Sequence, residues 1–362
     1  MNTTNVIDQA HGAMWSLYNG DSVDVLAALP TDSIDLSVYS PPFGSLYTYS
    51  ASERDMGNSA GDAEFWRHYG FLTDHILRVT RPGRVTAVHV ADTPAMLARD
   101  GYIGLKDFSG DVIRHYISRG WILDARVPID KNQQAQSIRT HAKGLTMTQM
   151  EKDRTWSRPA LPDYVLKFRK PGDNAVPVRG GDVTRDVWIE YANPTWPNEH
   201  DRCAEGGARA TWYGIRESET LNALRERGYA GLTESREQDD ERHICPLQLG
   251  TIERCVKLWS NAGETVLDPF SGLASTGYVA LGGPPPRRKL GDGPAGYSPV
   301  SEPRRYIGVE LKPAYFKASV HNLRALEAEG RTPDLFSGLD EPLLASDGTP
   351  YVTAPLPLEV AG

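Results

Sequence analysis

Thr265-Val266-Leu267-Asp268-Pro269-Phe270-Ser271-Gly272-Leu273-Ala274-Ser275-Thr276-Gly277 is the stretch on which the fold turns. Its first three residues have strand composition, a proline and a glycine punctuate a turn, and an apolar helix continues to Leu281. A strand, a glycine-containing loop and a helix make the first half of a βαβ unit, and Tyr306 to Val309 supplies a second strand that ends in Glu310. At such a strand end, glycine lets the backbone approach a ribose or phosphate, and a carboxylate at Glu310 can accept both hydrogen bonds of a ribose diol. A nucleoside cofactor follows. Asp268 narrows it, because a dinucleotide pyrophosphate wants an uncharged G-x-G-x-x-G cradle. A carboxylate there suits a cation such as the sulfonium and ammonium of S-adenosylmethionine. The alternative role for Asp268 is to cap the following helix.

Working outward, the same alternation recurs toward the N-terminus. Trp15 to Tyr18 reads as a strand ending at Gly20-Asp21, and Val23 to Leu29 as a helix. Ile34 to Tyr39 is a continuous, mostly apolar run that stops at Ser40-Pro41-Pro42-Phe43, where two prolines forbid further ladder pairing. Residues 44–63 carry Gly, Ser, Tyr and charge without periodicity and read as a long loop. Glu64 to Val79 is an amphipathic helix, Arg81 to Arg84 a turn, Val85 to Val90 a strand, Asp111 to Arg119 a helix, and Trp121 to Ile129 and Tyr164 to Phe168 extended segments. Leu249 to Asn261 and Pro313 to Glu329 complete the helices. The expectation is an α/β fold with a doubly wound, mostly parallel sheet whose ligands sit at the strands' C-terminal edge.

The chain has 362 residues, 40% hydrophobic and 24% charged, enough for one large α/β domain with an appendage. A net charge of -8 argues against holding nucleic acid by bulk electrostatics. Residues 124–179 are locally basic and offer a candidate phosphate-facing surface. Cys203, Cys245 and Cys255 form no ligand spacing, so no metal is expected, and His243 has no second half-site to complete one. Neither a membrane span nor a signal peptide is legible, which points to the cytoplasm.

Val266 to Gly272 resembles the cofactor motif of the amino-group DNA methyltransferases, and Ser40-Pro41-Pro42-Phe43 resembles their catalytic motif. The resemblance covers residues 34–92, 164–170 and 243–280, and does not reach 171–242 or 283–305. The catalytic motif precedes the cofactor motif, which matches the circularly permuted order that the family calls β. On that resemblance, residues 1–170 form the catalytic half and 171–242 the target-recognition region. Residues 243–330 form the cofactor-binding half, and 331–362 read as a tail. The resemblance implies S-adenosylmethionine as cofactor, held by Asp268, Pro269, Phe270, Gly272, Glu310 and Asp21. It also implies double-stranded DNA as partner, with the target base flipped out, and a cognate restriction enzyme as a candidate second partner. It leaves the oligomeric state open.

An exocyclic amine is a poor nucleophile, because its lone pair is delocalised into the ring. The Ser40 hydroxyl and the Pro41 carbonyl can accept its two hydrogens and draw the nitrogen out of conjugation, Pro42 stiffens the segment, and Phe43 offers a face for stacking. A hydroxyl can also turn its own proton toward a ring nitrogen of the base. Within the family, serine at the first motif position is usual for N4-cytosine enzymes and Asp or Asn for N6-adenine enzymes. The expected activity is therefore methyl transfer to cytosine N4, with adenine N6 as the alternative and RNA as a conceivable substrate. A non-catalytic DNA-binding protein with a methyltransferase shell is a rival of another class. A nicotinamide oxidoreductase is disfavoured by the missing G-x-G-x-x-G.

Overall fold

The structure is a computed structural model and describes residues 6–42, 56, 62–95, 97–131, 150–196, 247–284 and 298–330. Its strands are β1 (Val6–His11), β2 (Trp15–Gly20), β3 (Ile34–Tyr39), β4 (Thr80–Ala91), β5 (Thr93–Ala95), β6 (Gly104–Lys106), β7 (Ile122–Ile129), β8 (Asp163–Arg169), β9 (Thr265–Asp268) and β10 (Arg305–Glu310). Its helices are α1 (Ser22–Ala28), α2 (Asp62–Val79), α3 (Leu97–Asp100), α4 (Phe108–Ser118), α5 (Arg185–Tyr191), α6 (Leu249–Trp259), α7 (Ser275–Ala280) and α8 (Pro313–Gly330).

Eight strands form one sheet in the order β1-β2-β10-β9-β3-β4-β8-β7. From β2 to β4 the neighbours run parallel, whereas β1 at one edge and the β8–β7 pair at the other are antiparallel. All six residues of β3 are buried, as the apolar run from Ile34 to Tyr39 demands of a strand covered on both faces. One face packs under α6, α7 and α8 through residues such as Ile252, Tyr278 and Phe316. The other packs under α1, α2 and α4 through Leu26, Tyr69 and Val112. The mostly parallel α/β sheet expected from sequence is thus present, and β9 and β10, from the C-terminal part of the chain, lie between the N-terminal strands β2 and β3.

Several local features differ from the sequence expectation, among them the short elements β5, α3 and β6. Residues 81–84 do not break the strand but bulge from it: Ile34 pairs with Thr80 and Leu36 with Val85, so the excess residues loop out around Gly83. Gly83 N and Arg84 O are stitched to Lys170, which keeps both flanks in register. Strand β1 was not anticipated, because Val-Ile-Asp-Gln-Ala-His lacks a period of two. The segment after Lys170, patternless in sequence, contains α5, and its Tyr191 and Trp196 are buried against α6. Cys255 is buried and its thiol is pushed well above the ordinary range by that burial, as a structural thiol should be. Cys203, Cys245, His243, Trp212 and Tyr213 lie outside the described residues. Among the described residues no helix is long and apolar enough to cross a membrane.

Candidate active site

Strand register brings the candidate residues to one level of the C-terminal edge. Glu310 pairs with Asn19 of β2, and Asp21 lies two residues beyond Asn19. Gly308 pairs with Asp268, and Ser37 with Leu267, so Val38 lies beside Asp268 and Ser40 follows two residues on. Tyr39 pairs with Val88, which sets Ser40 beside His89 of β4. With neighbouring strands about 4.8 Å apart, residues from five strands form one continuous row.

The loop after β9 is built by its own polar groups. Asp268 accepts from Phe270 N at 2.9 Å, an Asx turn, while the start of α7 is set by Ala274 in the left-handed region without a side-chain cap. Asp268 therefore does not cap that helix. Burial raises its carboxyl to about 7, although the Phe270 N–H and the Thr276 hydroxyl both favour the charged form. Thr276 also donates to Val38 O at 3.3 Å, tying α7 to the end of β3. Gly272 is left-handed at φ 54°, and its N–H donates to Glu310 Oε2 at 2.8 Å. The other Glu310 oxygen accepts from Lys312 N at 2.8 Å. These two backbone hydrogen bonds orient the Glu310 carboxylate at the end of β10. Asp21 accepts from Val23 N and caps α1, whose Ser22 hydroxyl donates to Pro269 O.

The candidate catalytic motif begins where β3 ends. Tyr39 is anchored through its hydroxyl to Tyr116, which in turn meets Tyr69 at 3.1 Å, and its ring packs 5.9 Å from that of Phe270. Pro41 and Pro42 are buried, and Phe43 lies outside the described residues. Ser40 Oγ lies 3.2 Å from both His89 O and His89 Nδ1. His89 Nε2 is 3.1 Å from Asp163 Oδ2, and Lys131 Nζ is 2.5 Å from the same oxygen. The Ser40 hydroxyl thus has two protein partners on β4, rather than a hydrogen free to meet a base, as the sequence had suggested.

His89 and Asp163 were missed by sequence reasoning, which placed Lys131 only in the basic stretch 124–179. His89 lies 49 residues from Ser40 and 74 from Asp163, and no spacing rule joins them. The available signal was a histidine inside the mostly apolar run Val85 to Val90. The basic stretch also changes character: Lys131, Lys167 and Lys170 pair with Asp163, Asp124 and Asp32, and Arg126 lies over the Tyr164 ring.

The chain and its fold have counterparts. The Type II methyltransferase M.BglI of Bacillus subtilis is 24% identical over 336 residues, 85% of each chain. The structure of TTHA0409 from Thermus thermophilus, complexed with S-adenosyl-L-methionine, aligns at TM-score 0.53 and 19% identity, covering 86% of this chain and 93% of that one. The cytosine-N4-specific PvuII DNA methyltransferase aligns at TM-score 0.54 and 17% identity, covering 88% and 90%. These structural likenesses speak to the fold. The profile of the DNA methylase family matches residues 34–321, and with both motifs inside that span the chain belongs to the N6/N4 amino-group DNA methylases.

Proposed function

We propose that the protein transfers a methyl group from S-adenosylmethionine to N4 of cytosine in double-stranded DNA. The observation that carries the target is Ser40: the first motif position holds a neutral hydroxyl where an adenine enzyme usually has Asp or Asn. The residues fit the cofactor chemically. Asp268 is a buried carboxylate near its protonation midpoint at neutral pH, which a neighbouring cation would ionise, and Glu310 holds two acceptor oxygens for a ribose diol. Asp21, Pro269, Phe270 and Gly272 complete the cradle. When bound, S-adenosylmethionine supplies an electrophilic methyl group.

The chain's own residues prepare the amine. Ser40 Oγ accepts one amino hydrogen and Pro41 O the other, which localises the nitrogen lone pair. Prolines 41 and 42 restrict that carbonyl's motion, and Phe43 stacks on a base flipped from the duplex. Residues 171–242 read the DNA sequence, and a restriction enzyme of the same specificity is the natural partner of such an activity. Nucleoside mass spectrometry of DNA methylated by the purified protein tests the target. N4-methylcytosine is expected, and N6-methyladenine alone would overturn the cytosine assignment.

A further inference from the structure

We infer that His89, held by Asp163, is a positioning residue that fixes the Ser40 hydroxyl as a hydrogen-bond acceptor toward the amine and takes up the proton the amine releases. The inference rests on amine methylation at Ser40, and extends the site to two strands that carry neither motif.

The direction of the chain follows from its partners. Asp163 would be raised by burial, but the Lys131 ammonium and the hydrogen bond from His89 outweigh this and hold it well below the usual carboxylate range. An ionised carboxylate only accepts, so His89 Nε2 carries the hydrogen at 3.1 Å. In the neutral imidazole, Nδ1 then has a free lone pair, and it faces Ser40 Oγ at 3.2 Å. The second neighbour of Ser40, His89 O, is also an acceptor. Both protein contacts of Ser40 therefore draw its hydrogen inward, and its lone pairs are left to accept from the amine. The opposite tautomer would donate into Ser40 and occupy one of those lone pairs.

The same chain balances the reaction. The amine nitrogen bonds the methyl carbon as the carbon–sulfur bond breaks, with its electron pair left on sulfur. The nitrogen then holds one proton in excess. That proton moves to Ser40 Oγ as the serine hydrogen moves to His89 Nδ1, and the resulting imidazolium lies against ionised Asp163. The charged groups facing His89 are Asp163, at the start of β8, and Lys131, just beyond β7. No group need be oxidised or reduced.

Two measurements test this. Long-range 1H–15N correlation spectra of the free protein, with the His89 signals assigned by their change in Ser40→Ala and loss in His89→Gln, should show the Nε2–H tautomer. This reading needs neither cofactor nor DNA. Finding Nδ1–H overturns the inference whatever base is modified. Asp163→Asn should reverse the tautomer and lower the single-turnover methyl-transfer rate by about 10²-fold, the scale of one preorganised polar contact, with DNA and cofactor affinity within about twofold. An unchanged rate in a folded Asp163→Asn protein also overturns it. His89→Gln, expected to lose about as much rate, serves should Asp163→Asn not fold. Methylation of adenine instead of cytosine would overturn the target assignment alone.

Discussion

Asp268 is the residue of the proposed cofactor site on which electrostatics bears most directly. Its carboxyl is raised to about 7 from 3.8 because it is buried. In the ligand-free protein the stability linked to this group is therefore fully present below about pH 4 and is lost as pH rises through 7. A cation bound beside it favours the ionised form and expels a proton. Affinity for S-adenosylmethionine should then strengthen about tenfold between pH 6 and pH 8, with proton release visible by calorimetry in buffers of different ionisation enthalpy. In Asp268→Asn the pH dependence should vanish and binding weaken. A pH-dependent affinity that survives the substitution would mean that another group carries the coupling. Asp268 was legible because its neighbours in sequence form the loop it serves. His89 and Asp163 were not, since antiparallel pairing of β8 with β4 creates their contact, and nothing local to either residue announces it.

At the scale of elements, strands bounded by proline or glycine and filled with apolar residues were readable, β3 to the residue. Strand β4 was misjudged at its start because Arg81-Pro82-Gly83-Arg84 has turn chemistry yet is spent in a bulge. That bulge delivers Arg84 to a buried pairing with Glu264, at the opposite edge of the sheet from the site, where Arg84 also donates to Asp35 O at 3.0 Å. Glu264→Ala leaves a buried cation without its counter-charge and should destabilise the protein by about 3 kcal/mol. Denaturant unfolding would read this, and a loss below about 1 kcal/mol would show that the backbone carbonyls around Arg84 suffice.

The segment 283–305 belongs to the same edge. Gly283 N bonds Tyr278 O, Arg304 N bonds Ala280 O, and Arg305 pairs with Thr265 at the start of β9, so both ends of the segment leave the sheet away from Ser40 and Asp268. Residues 285–297 lie outside the described residues. Replacing 285–297 with a short Gly-Ser linker should leave kcat within about twofold, and a hundredfold loss would place part of the segment in the site.

On the scale of the whole molecule, the site exists only where distant stretches of chain interleave. Strand β9 binds β3 and β10 binds β2, so the row from Asp21 to His89 is continuous only after the C-terminal strands have entered between N-terminal ones. During synthesis, β2 and β3 therefore emerge long before β10 and β9, their respective neighbours, and wait with open edges, which are templates for pairing with other chains. A nascent chain stalled after residue 246 should accordingly bind holdase chaperones, while one extended past residue 330 should release them. Methyl transfer therefore has to wait for the synthesis of β10, and a chain truncated before that strand should carry no activity.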